Sequence, residues 1–366
     1  MTNGECTMVS TRKLSHIILF LIIWSCLPGF AFSQNQPGGI FLLIPPGARA
    51  GGMGETHVAV ANDLYATYYN PAGLAFQEHH EISGMHMQWL PGLADDIYYE
   101  FLGYKGRFGQ LGTVGASFTY LSLGEQIQTG VNSPEELGRF RSYMWNAAIS
   151  FGRQVSDRSA VGITVKLYRM FLAPRGSADF LDTRDGAATS AAVDIAFLTR
   201  RLLSDRISLG IGLSNIGPNI TFLDPDRADP APTTLRMGVM LQPLRGDIHT
   251  LQLAYDVGKL LASRNAAGDP EPFYNALFGG ADQSAPEYLQ HNLGAEYWFK
   301  HILALRTGVM FQKEDRLDRE GGIGIPIPTV GAGLRILGYG FDFGYLIADE
   351  QHPLHNTMRF SLNMQF

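Results

Sequence analysis

Apolar and polar residues alternate with a period of two through most of the chain from about residue 81 onward, which is the spacing of side chains on one face of a β-strand. The pattern is clearest at the C-terminus, where Met358, Phe360, Leu362, Met364 and Phe366 alternate with polar residues. One face of these segments is almost free of charge, and the other carries small, polar or single ionisable residues. An apolar outer face and a polar inner face are typical of an outer-membrane β-barrel.

Fourteen segments share this pattern, and most have the roughly ten residues that a tilted membrane strand needs. Short turns alternate with longer connections between them, as in an even-stranded barrel whose short turns face the periplasm. The sequence therefore predicts an all-β fold, a transmembrane antiparallel β-barrel of about 14 strands over residues 81–366. The predicted strands are 82–90, 97–104, 111–122, 142–153, 159–171, 188–199, 206–214, 233–242, 249–258, 290–299, 302–311, 329–337, 340–347 and 356–366.

Residues 1–33 have the composition of a secretory signal peptide. Arg12 and Lys13 precede an apolar run at residues 17–24, and small residues typical of a cleavage site stand at residues 31–33. The run is shorter than the roughly 20 apolar residues that cross a membrane as a helix. A lipoprotein signal ending at Cys26 is the alternative, although a tryptophan two residues before it suits such a signal poorly. We expect an exported protein.

Composition excludes several classes of protein. The chain is 45% hydrophobic and 17% charged, with a formal net charge of −6. So much apolar material excludes a disordered chain, and the acidic balance argues against a nucleic-acid partner. Both cysteines, Cys6 and Cys26, lie within the predicted signal peptide, so we expect no disulfide scaffold in the mature chain.

Residues 34–80 do not follow the strand pattern, because they are rich in glycine, alanine and turn-forming residues. A ring of about 14 strands encloses a lumen too wide for its own side chains to fill. We therefore expect this segment to form an N-terminal hatch in the barrel lumen. The residues of the hatch motif are Ala48, Arg49, Ala50, Gly52, Met53, Gly54, Asn70, Pro71, Ala72 and Gly73.

Three stretches, 48–54, 59–63 and 69–75, together resemble the N-terminal motif of the PorV/PorQ family of type IX secretion proteins, within the fatty-acid-transporter-like (FadL-like) outer-membrane barrels. The resemblance implies a barrel with an N-terminal hatch in the outer membrane of a Gram-negative, Bacteroidetes-like envelope. It also implies a secretion component that binds the C-terminal signal domains of cargo proteins. Such a component takes cargo from the secretion translocon and passes it to the surface attachment complex. Both a PorV-like and a PorQ-like role fit the motif.

Eight ionisable residues fall on the inward-facing positions of the predicted strands, and their charges balance in sign. An inward position is expected because an ionisable group that faces lipid is costly. We expect these residues to form salt bridges that hold the hatch, and a polar conduit is the alternative. The residues are Lys166, Asp194, Arg236, Asp256, Glu296, Arg306, Arg335 and Asp342.

The longest connection between predicted strands, Lys259–Leu289, contains a dense cluster of large apolar residues. Aromatic side chains dominate protein interfaces because they bury a large area at a low cost in entropy. We therefore expect Phe273, Tyr274, Leu277 and Phe278 to form a partner-binding loop on the outer side of the barrel. The other long connections are Gly124–Arg141, Pro174–Ala187, Asn215–Pro232 and Gln312–Pro328.

Motifs for enzymatic chemistry are missing from the sequence, which has neither the G-x-S-x-G pattern of hydrolases nor the H-E-x-x-H pattern of zinc proteases. The histidines at 79, 80 and 86 lack the spacing of metal ligands. We expect no enzyme, cofactor or metal site.

A channel for long-chain fatty acids or other hydrophobic small molecules is the alternative function. Such a channel needs apolar side chains along its lumen. We expect few inward-facing apolar residues, with Leu102, Met144 and Met310 among them, which argues against this function.

Overall fold

The fold is taken from a computed structural model that describes most of the chain after residue 36. The predicted signal peptide lies outside the described residues. The described residues are 37–130, 133–175, 185–202, 205–222, 224, 227–265, 267–278, 289–312, 325–350 and 352–366.

Fourteen antiparallel strands form a closed barrel, in which the first strand pairs with both the second and the last. All fourteen strands expected from the alternation are confirmed. Two further short strands, β10 and β11, form a separate hairpin, so that β9 pairs with β12 in the barrel. The strands are β1 (Glu81–Gln88), β2 (Ile97–Arg107), β3 (Thr113–Gly130), β4 (Ser133–Gln154), β5 (Ser159–Ala173), β6 (Gly186–Arg200), β7 (Ile207–Ile216), β8 (Thr234–Arg245), β9 (His249–Leu260), β10 (Ser263–Arg264), β11 (Pro270–Glu271), β12 (Leu289–Phe299), β13 (Leu303–Gln312), β14 (Ile325–Ile336), β15 (Tyr339–Leu346) and β16 (Met358–Gln365).

Apolar side chains face outward from the barrel wall, as the alternation predicts. On β5, for example, Val161, Ile163 and Val165 are exposed on the outside of the wall, whereas Thr164 and Lys166 are buried inside. In a membrane protein this exposed apolar band is the surface that contacts lipid.

The prediction that Leu102 faces inward is wrong. Leu102 is 60% exposed on the outer face of β2, whereas its neighbour Phe101 is buried inside. Large apolar residues stand on both faces of this strand, so the alternation alone does not define which face is inward.

The connections alternate in length around the barrel. When the connections between barrel strands are counted from β1, the second, the fourth and each later even-numbered one are short, as in residues 155–158 and 300–302. The end of the barrel that carries these short connections is called the inner end below. The other connections are mostly longer and define the outer end, which faces away from the cell in such barrels. The predicted loop Gly124–Arg141 is wrong for most of its length, because β3 and β4 continue to Gly130 and from Ser133 as a two-stranded ribbon with register shifts after Ser122.

Residues 37–80, called the N-terminal segment below, lie against the inner face of the wall from the outer end to the inner end. At the outer end Gly38 donates its N–H to the Pro230 carbonyl oxygen at 3.1 Å, in the long connection between β7 and β8. At the inner end the backbones of His80 and Phe366 pair with each other. The segment contains α-helices at Ala48–Gly51 and Ala66–Tyr69 and 3₁₀-helices at Ile40–Leu43 and Pro71–Phe76.

A further helix, Phe273–Phe278, lies in the long connection between β11 and β12. None of the helices in the described part of the chain is long and apolar enough to cross a membrane.

Candidate functional site

Arg49 connects the N-terminal segment to the barrel wall near the inner end. Its Nε and Nη2 atoms lie 2.6 Å and 2.8 Å from the two carboxylate oxygens of Glu296 on β12. Its Nη1 atom donates to Asn62 at 2.7 Å and to Asp63 at 3.0 Å within the segment. This bidentate contact between a guanidinium and a carboxylate is directional, so it fixes both the position and the orientation of the segment.

The same carboxylate continues a chain of charges along the wall. Glu296 accepts a hydrogen bond from Arg306 Nε at 2.9 Å and another from the indole of Trp298. Arg306 Nη1 lies 2.9 Å from Asp342 Oδ1, and Arg335 Nη2 donates to Asp342 Oδ2 at 2.7 Å. Four of the eight predicted inward-facing charges therefore meet Arg49 in one network, called the inner charge network below.

Asp63 has a second partner in the segment, since His57 Nε2 lies 2.9 Å from its Oδ1 atom. Burial alone would raise the pKa of Asp63, but the His57 ring and the Arg49 guanidinium reverse that effect. They hold the pKa of this carboxyl well below its ordinary range. The carboxylate therefore stays charged wherever these partners remain in place.

Two other predicted charges bind the N-terminal segment directly. Asp256 on β9 accepts the backbone N–H groups of His57 and Val58 at 2.7 Å and 2.9 Å. Arg236 on β8 donates to the hydroxyl of Tyr68 at 3.1 Å, with its guanidinium 5.0 Å from the centre of that ring. These contacts hold the segment from the wall opposite Arg359, described next.

Arg359 on β16 is an inward-facing charge that was absent from the predicted set. Its Nη2 atom lies 2.6 Å from Glu55 Oε1, and its Nη1 atom donates to the Pro45 carbonyl oxygen at 3.0 Å. Tyr69 donates its hydroxyl to the other oxygen of Glu55 at 2.7 Å. The signal was present in the sequence, because Arg359 stands between Met358 and Phe360 in the clearest alternation of the chain.

The last predicted pair lies within the wall. Lys166 Nζ is 2.7 Å from Asp194 Oδ2 and donates to the side chain of Asn215 at the same distance. Asn215 in turn donates its backbone N–H to Asp194 Oδ1 at 2.7 Å. These groups satisfy one another across β5, β6 and β7, and none of their hydrogen bonds among the described residues reaches the N-terminal segment.

The residues of the motif are all buried at the contact between the segment and the wall. Ala48 donates its N–H to Ser361 on β16 and Gly54 donates to Thr329 on β14, both at 2.9 Å. The Asn70 side chain caps the second 3₁₀-helix by accepting the N–H of residue 72. The other members, Arg49, Ala50, Gly52, Met53, Pro71, Ala72 and Gly73, are likewise buried.

Glycines in the wall allow this contact to be made backbone to backbone. A Cβ atom at Gly308 on β13 would overlap the backbone of Met53 and Gly54. A Cβ atom at Gly162 on β5 would overlap the backbone of Pro71 and Ala72. The wall is therefore shaped to the path of the segment, and a side chain at either position would displace it.

Apolar packing replaces charge toward the outer end of the lumen. Phe41, Tyr99, Tyr168 and Met170 belong to one buried cluster that joins the segment to the wall. The expectation of few inward-facing apolar residues is thus wrong, because aromatic and methionine residues on β1 to β5 also face inward. A cavity of about 330 Å³ lies beside this packing. Among its lining residues are Ile40, Leu43, Trp89, Arg236, Met310 and Leu346.

The predicted partner-binding residues lie on the helix Phe273–Phe278 at the outer end. Tyr274 is 54% exposed, and Phe273 and Leu277 are half-buried. The side chain of Phe278 lies outside the described residues. Lys259 supports the helix from β9 by donating to the Ala276 carbonyl oxygen at 3.0 Å.

The long connections at the outer end also bind one another. Arg264 in the β10–β11 hairpin pairs with Asp229 at 2.5 Å and donates to the Ala228 carbonyl oxygen at 3.1 Å. Asp229 in turn pairs by backbone with Ile220 in its own connection. The outer end therefore presents a supported surface around the helix.

No group of three or more histidine, cysteine, aspartate or glutamate residues in the described ranges is arranged to hold a metal ion.

A family model supplies the decisive comparison. The model described as type IX secretion system protein PorV matches residues 35–266, well over half of the chain. The chain belongs to the PorV family. Membership and the closed barrel together place it in the outer membrane of a Gram-negative cell. No curated protein matches the chain.

Solved structures similar to this PorV-family barrel include two of TodX. A mutant of the TodX monoaromatic hydrocarbon channel is 13% identical, covers 88% of this chain and 97% of its own, and has a TM-score of 0.55. The toluene transporter TodX of Pseudomonas putida is 13% identical, with coverage of 93% and 98% and a TM-score of 0.53. A FadL homologue of Pseudomonas aeruginosa is 11% identical, with coverage of 92% and 99% and a TM-score of 0.48. The TodX likeness shows that this chain has the same fold as the TodX barrels.

Proposed function

We propose that this PorV-family barrel is an adaptor of the type IX secretion system. In this proposal it binds the C-terminal signal domain of a cargo protein at its outer end, takes the cargo from the translocon and passes it to the surface attachment complex. Residues 34–80 act as the hatch. The observation that supports the proposal is the set of contacts between the N-terminal segment and the inner face of the wall, from the outer end to the inner end.

A filled lumen favours an adaptor over a conduit. The segment is held by a buried charge network and by backbone contacts with wall glycines, so a folded domain has no path through the barrel. For a protein partner on the cell surface, the outer end is the accessible part of the barrel. Tyr274 stands exposed there on a helix that Lys259 supports from below.

The test replaces the partner-binding helix without touching the barrel. We expect Phe273→Ser, Tyr274→Ser and Leu277→Ser together to leave a heat-modifiable barrel in the outer membrane while cargo accumulates unattached, because the apolar anchors are lost. Co-purification of a crosslinked cargo signal domain with the barrel measures the contact directly.

A matched control lies at the opposite end of the barrel. Tyr339 is 59% exposed at the start of β15, beside a short inner turn, and Tyr339→Ser should leave cargo attachment intact. Normal attachment in the triple variant would contradict the role of the helix in cargo binding.

A channel for hydrophobic molecules is the second candidate, and the cavity of about 330 Å³ with its largely apolar lining favours it. The TodX proteins of the same fold carry the names of a hydrocarbon channel and a toluene transporter. Uptake of a labelled fatty acid into liposomes that contain the purified barrel separates the two functions. Uptake together with normal cargo attachment in the triple variant would favour the channel.

A further inference from the structure

The outer surface of the barrel wall has a notch where β1 lies between β16 and β2. Five residues on neighbouring strands form one register row that faces outward, and the residue in the middle is a glycine. In order across the wall they are Phe341, Leu362, Gly84, Leu102 and Phe118.

The space above Gly84 is open. A Cβ atom at this position would meet only the Phe101 carbonyl oxygen, at 3.9 Å. The flanking side chains of Leu102 and Leu362 are 60% and 62% exposed and do not fold over the glycine. The result is a groove of about 690 Å³ on the face of the barrel that contacts lipid.

A polar pair stands at the outer side of this groove. His86 is the next outward-facing residue of β1, and its Nδ1 atom lies 2.8 Å from Glu100 Oε1 on β2. Both side chains are exposed on the lipid face, between Phe360 and Tyr120 in the register row. The ring of Tyr98 also faces His86, with the ring centres 6.4 Å apart.

Ionisable side chains on a lipid-facing surface are rare because lipid cannot solvate them, and where they occur they indicate function. The contact with His86 satisfies Glu100 only in part, since a carboxylate can accept about four hydrogen bonds. Glu100 is one of the residues that line the groove, so its remaining acceptor capacity is available to a ligand there. The surrounding tyrosine rings add faces that attract a cation.

We propose that this groove is a binding site for a single membrane lipid with an ammonium headgroup. An acyl chain lies over Gly84 between Leu102 and Leu362, where a side chain would otherwise stand. The headgroup donates N–H groups to Glu100 beside the tyrosine rings. The site is separate from the lumen and from the partner-binding helix, so it stands independently of the proposed function.

Two phospholipids distinguish this chemistry. Phosphatidylethanolamine carries three N–H donors on its ammonium group, whereas phosphatidylcholine carries a cation with no N–H donor. Native mass spectrometry of the purified full-length barrel, titrated with each lipid of the same acyl composition, should show one phosphatidylethanolamine retained about tenfold more tightly. That ratio corresponds to about one charge-assisted hydrogen bond.

Variants assign the binding to the groove. Glu100→Gln should reduce the affinity for phosphatidylethanolamine to that for phosphatidylcholine, because the charged acceptor is lost. Gly84→Leu should abolish retention of both lipids by filling the notch. Ala191→Leu is the matched control, since Ala191 is exposed on the outer face of β6 away from the groove, and it should retain the preference.

Equal retention of the two lipids by the unaltered barrel would overturn the proposal, as would unchanged retention in Gly84→Leu. Heat-modifiable mobility on gels shows whether each variant has folded. Should Gly84→Leu not assemble, Gly84→Ala provides the second variant, because the open space accommodates a methyl group. It should weaken the retention of both lipids, and unchanged retention would likewise reject the site.

Discussion

The two ends of the lumen hold the N-terminal segment by different chemistry. At the inner end Arg49, Glu296, Arg306 and Asp342 form a continuous network of directional contacts. At the outer end a cluster of aromatic and aliphatic side chains packs the segment against the wall, beside a cavity of about 330 Å³ whose lining also includes charged residues such as Arg236 and Asp256. Buried charges tolerate little displacement, whereas apolar packing is non-directional and can be rearranged. The comparison indicates that directional contacts fix the segment at the inner end, whereas the packing at the outer end can be rearranged.

The largest effect is expected from filling the space in the wall that the backbone of the segment occupies. Gly308→Val places a side chain where the backbone of Met53 and Gly54 now lies, so the segment cannot occupy its path. We expect the conductance of the barrel in planar bilayers to rise from background to that of an open pore.

Gly258→Ala is the control for this change, because the nearest atom to its new methyl group is 3.7 Å away. A closed pore in Gly308→Val would mean that the lumen is blocked by something other than the fit between segment and wall.

The second largest effect is expected from breaking the inner charge network. Glu296→Leu leaves Arg49 and Arg306 buried without their shared carboxylate, and removal of one partner from a buried ion pair typically costs about 3–5 kcal/mol. The free energy of unfolding, measured by denaturant titration in detergent, should fall by this amount. Glu78→Leu, at an exposed ion pair with Arg107, should cost less than about 1 kcal/mol.

Truncating the apolar packing of the outer end should cost less. Leu346 is buried but borders the cavity, so Leu346→Ala removes contacts on one side only. We expect a loss of about 2 kcal/mol, at the low end of the range for such truncations. The same denaturant titration measures it, and a loss as large as that of Glu296→Leu would abolish the contrast between the two ends.

The smallest effect concerns pH and is confined to the inner end. The pKa of Asp63 is held below its ordinary range by His57 and Arg49. Its folded pKa therefore lies below its unfolded value of about 3.9, and the stability it contributes is present above that value and lost as the pH falls. The stability of Asp63→Asn should depend less on pH below about pH 4 than that of the unaltered barrel.

Denaturant titrations at several pH values measure this difference. Parallel curves for the two proteins would show that the contacts of Asp63 do not stabilise the folded state.

The strand count could be predicted from sequence because the membrane imposes the same period of two on every strand, as in Val161, Ile163 and Val165. The ribbon at the ends of β3 and β4 was missed because water surrounds both of its faces and removes the apolar alternation. Leu102 was assigned to the wrong face because β2 carries large apolar residues on both.

The partners within the candidate site could not be predicted. Sequence alternation places Glu296 on an inward face, but nothing local connects it with Arg49, 247 positions earlier in the chain. Such pairs depend on the register of the closed barrel. Similarly, no local sequence feature distinguishes Gly308 from a glycine in a turn, because its role depends on the path of the backbone at Met53 and Gly54, far away in the sequence.

The course of the N-terminal segment along the whole lumen constrains the order of assembly. The first residues of the segment contact the outer end, its last residues pair with Phe366, and Ala48 bonds to Ser361, 313 positions away. Were the ring to close before the segment entered, a free chain end would have to be threaded through a completed cylinder. Docking of these residues on the open sheet before β16 joins β1 avoids such threading. In that order of events, the barrel wall closes around a segment that is already in place.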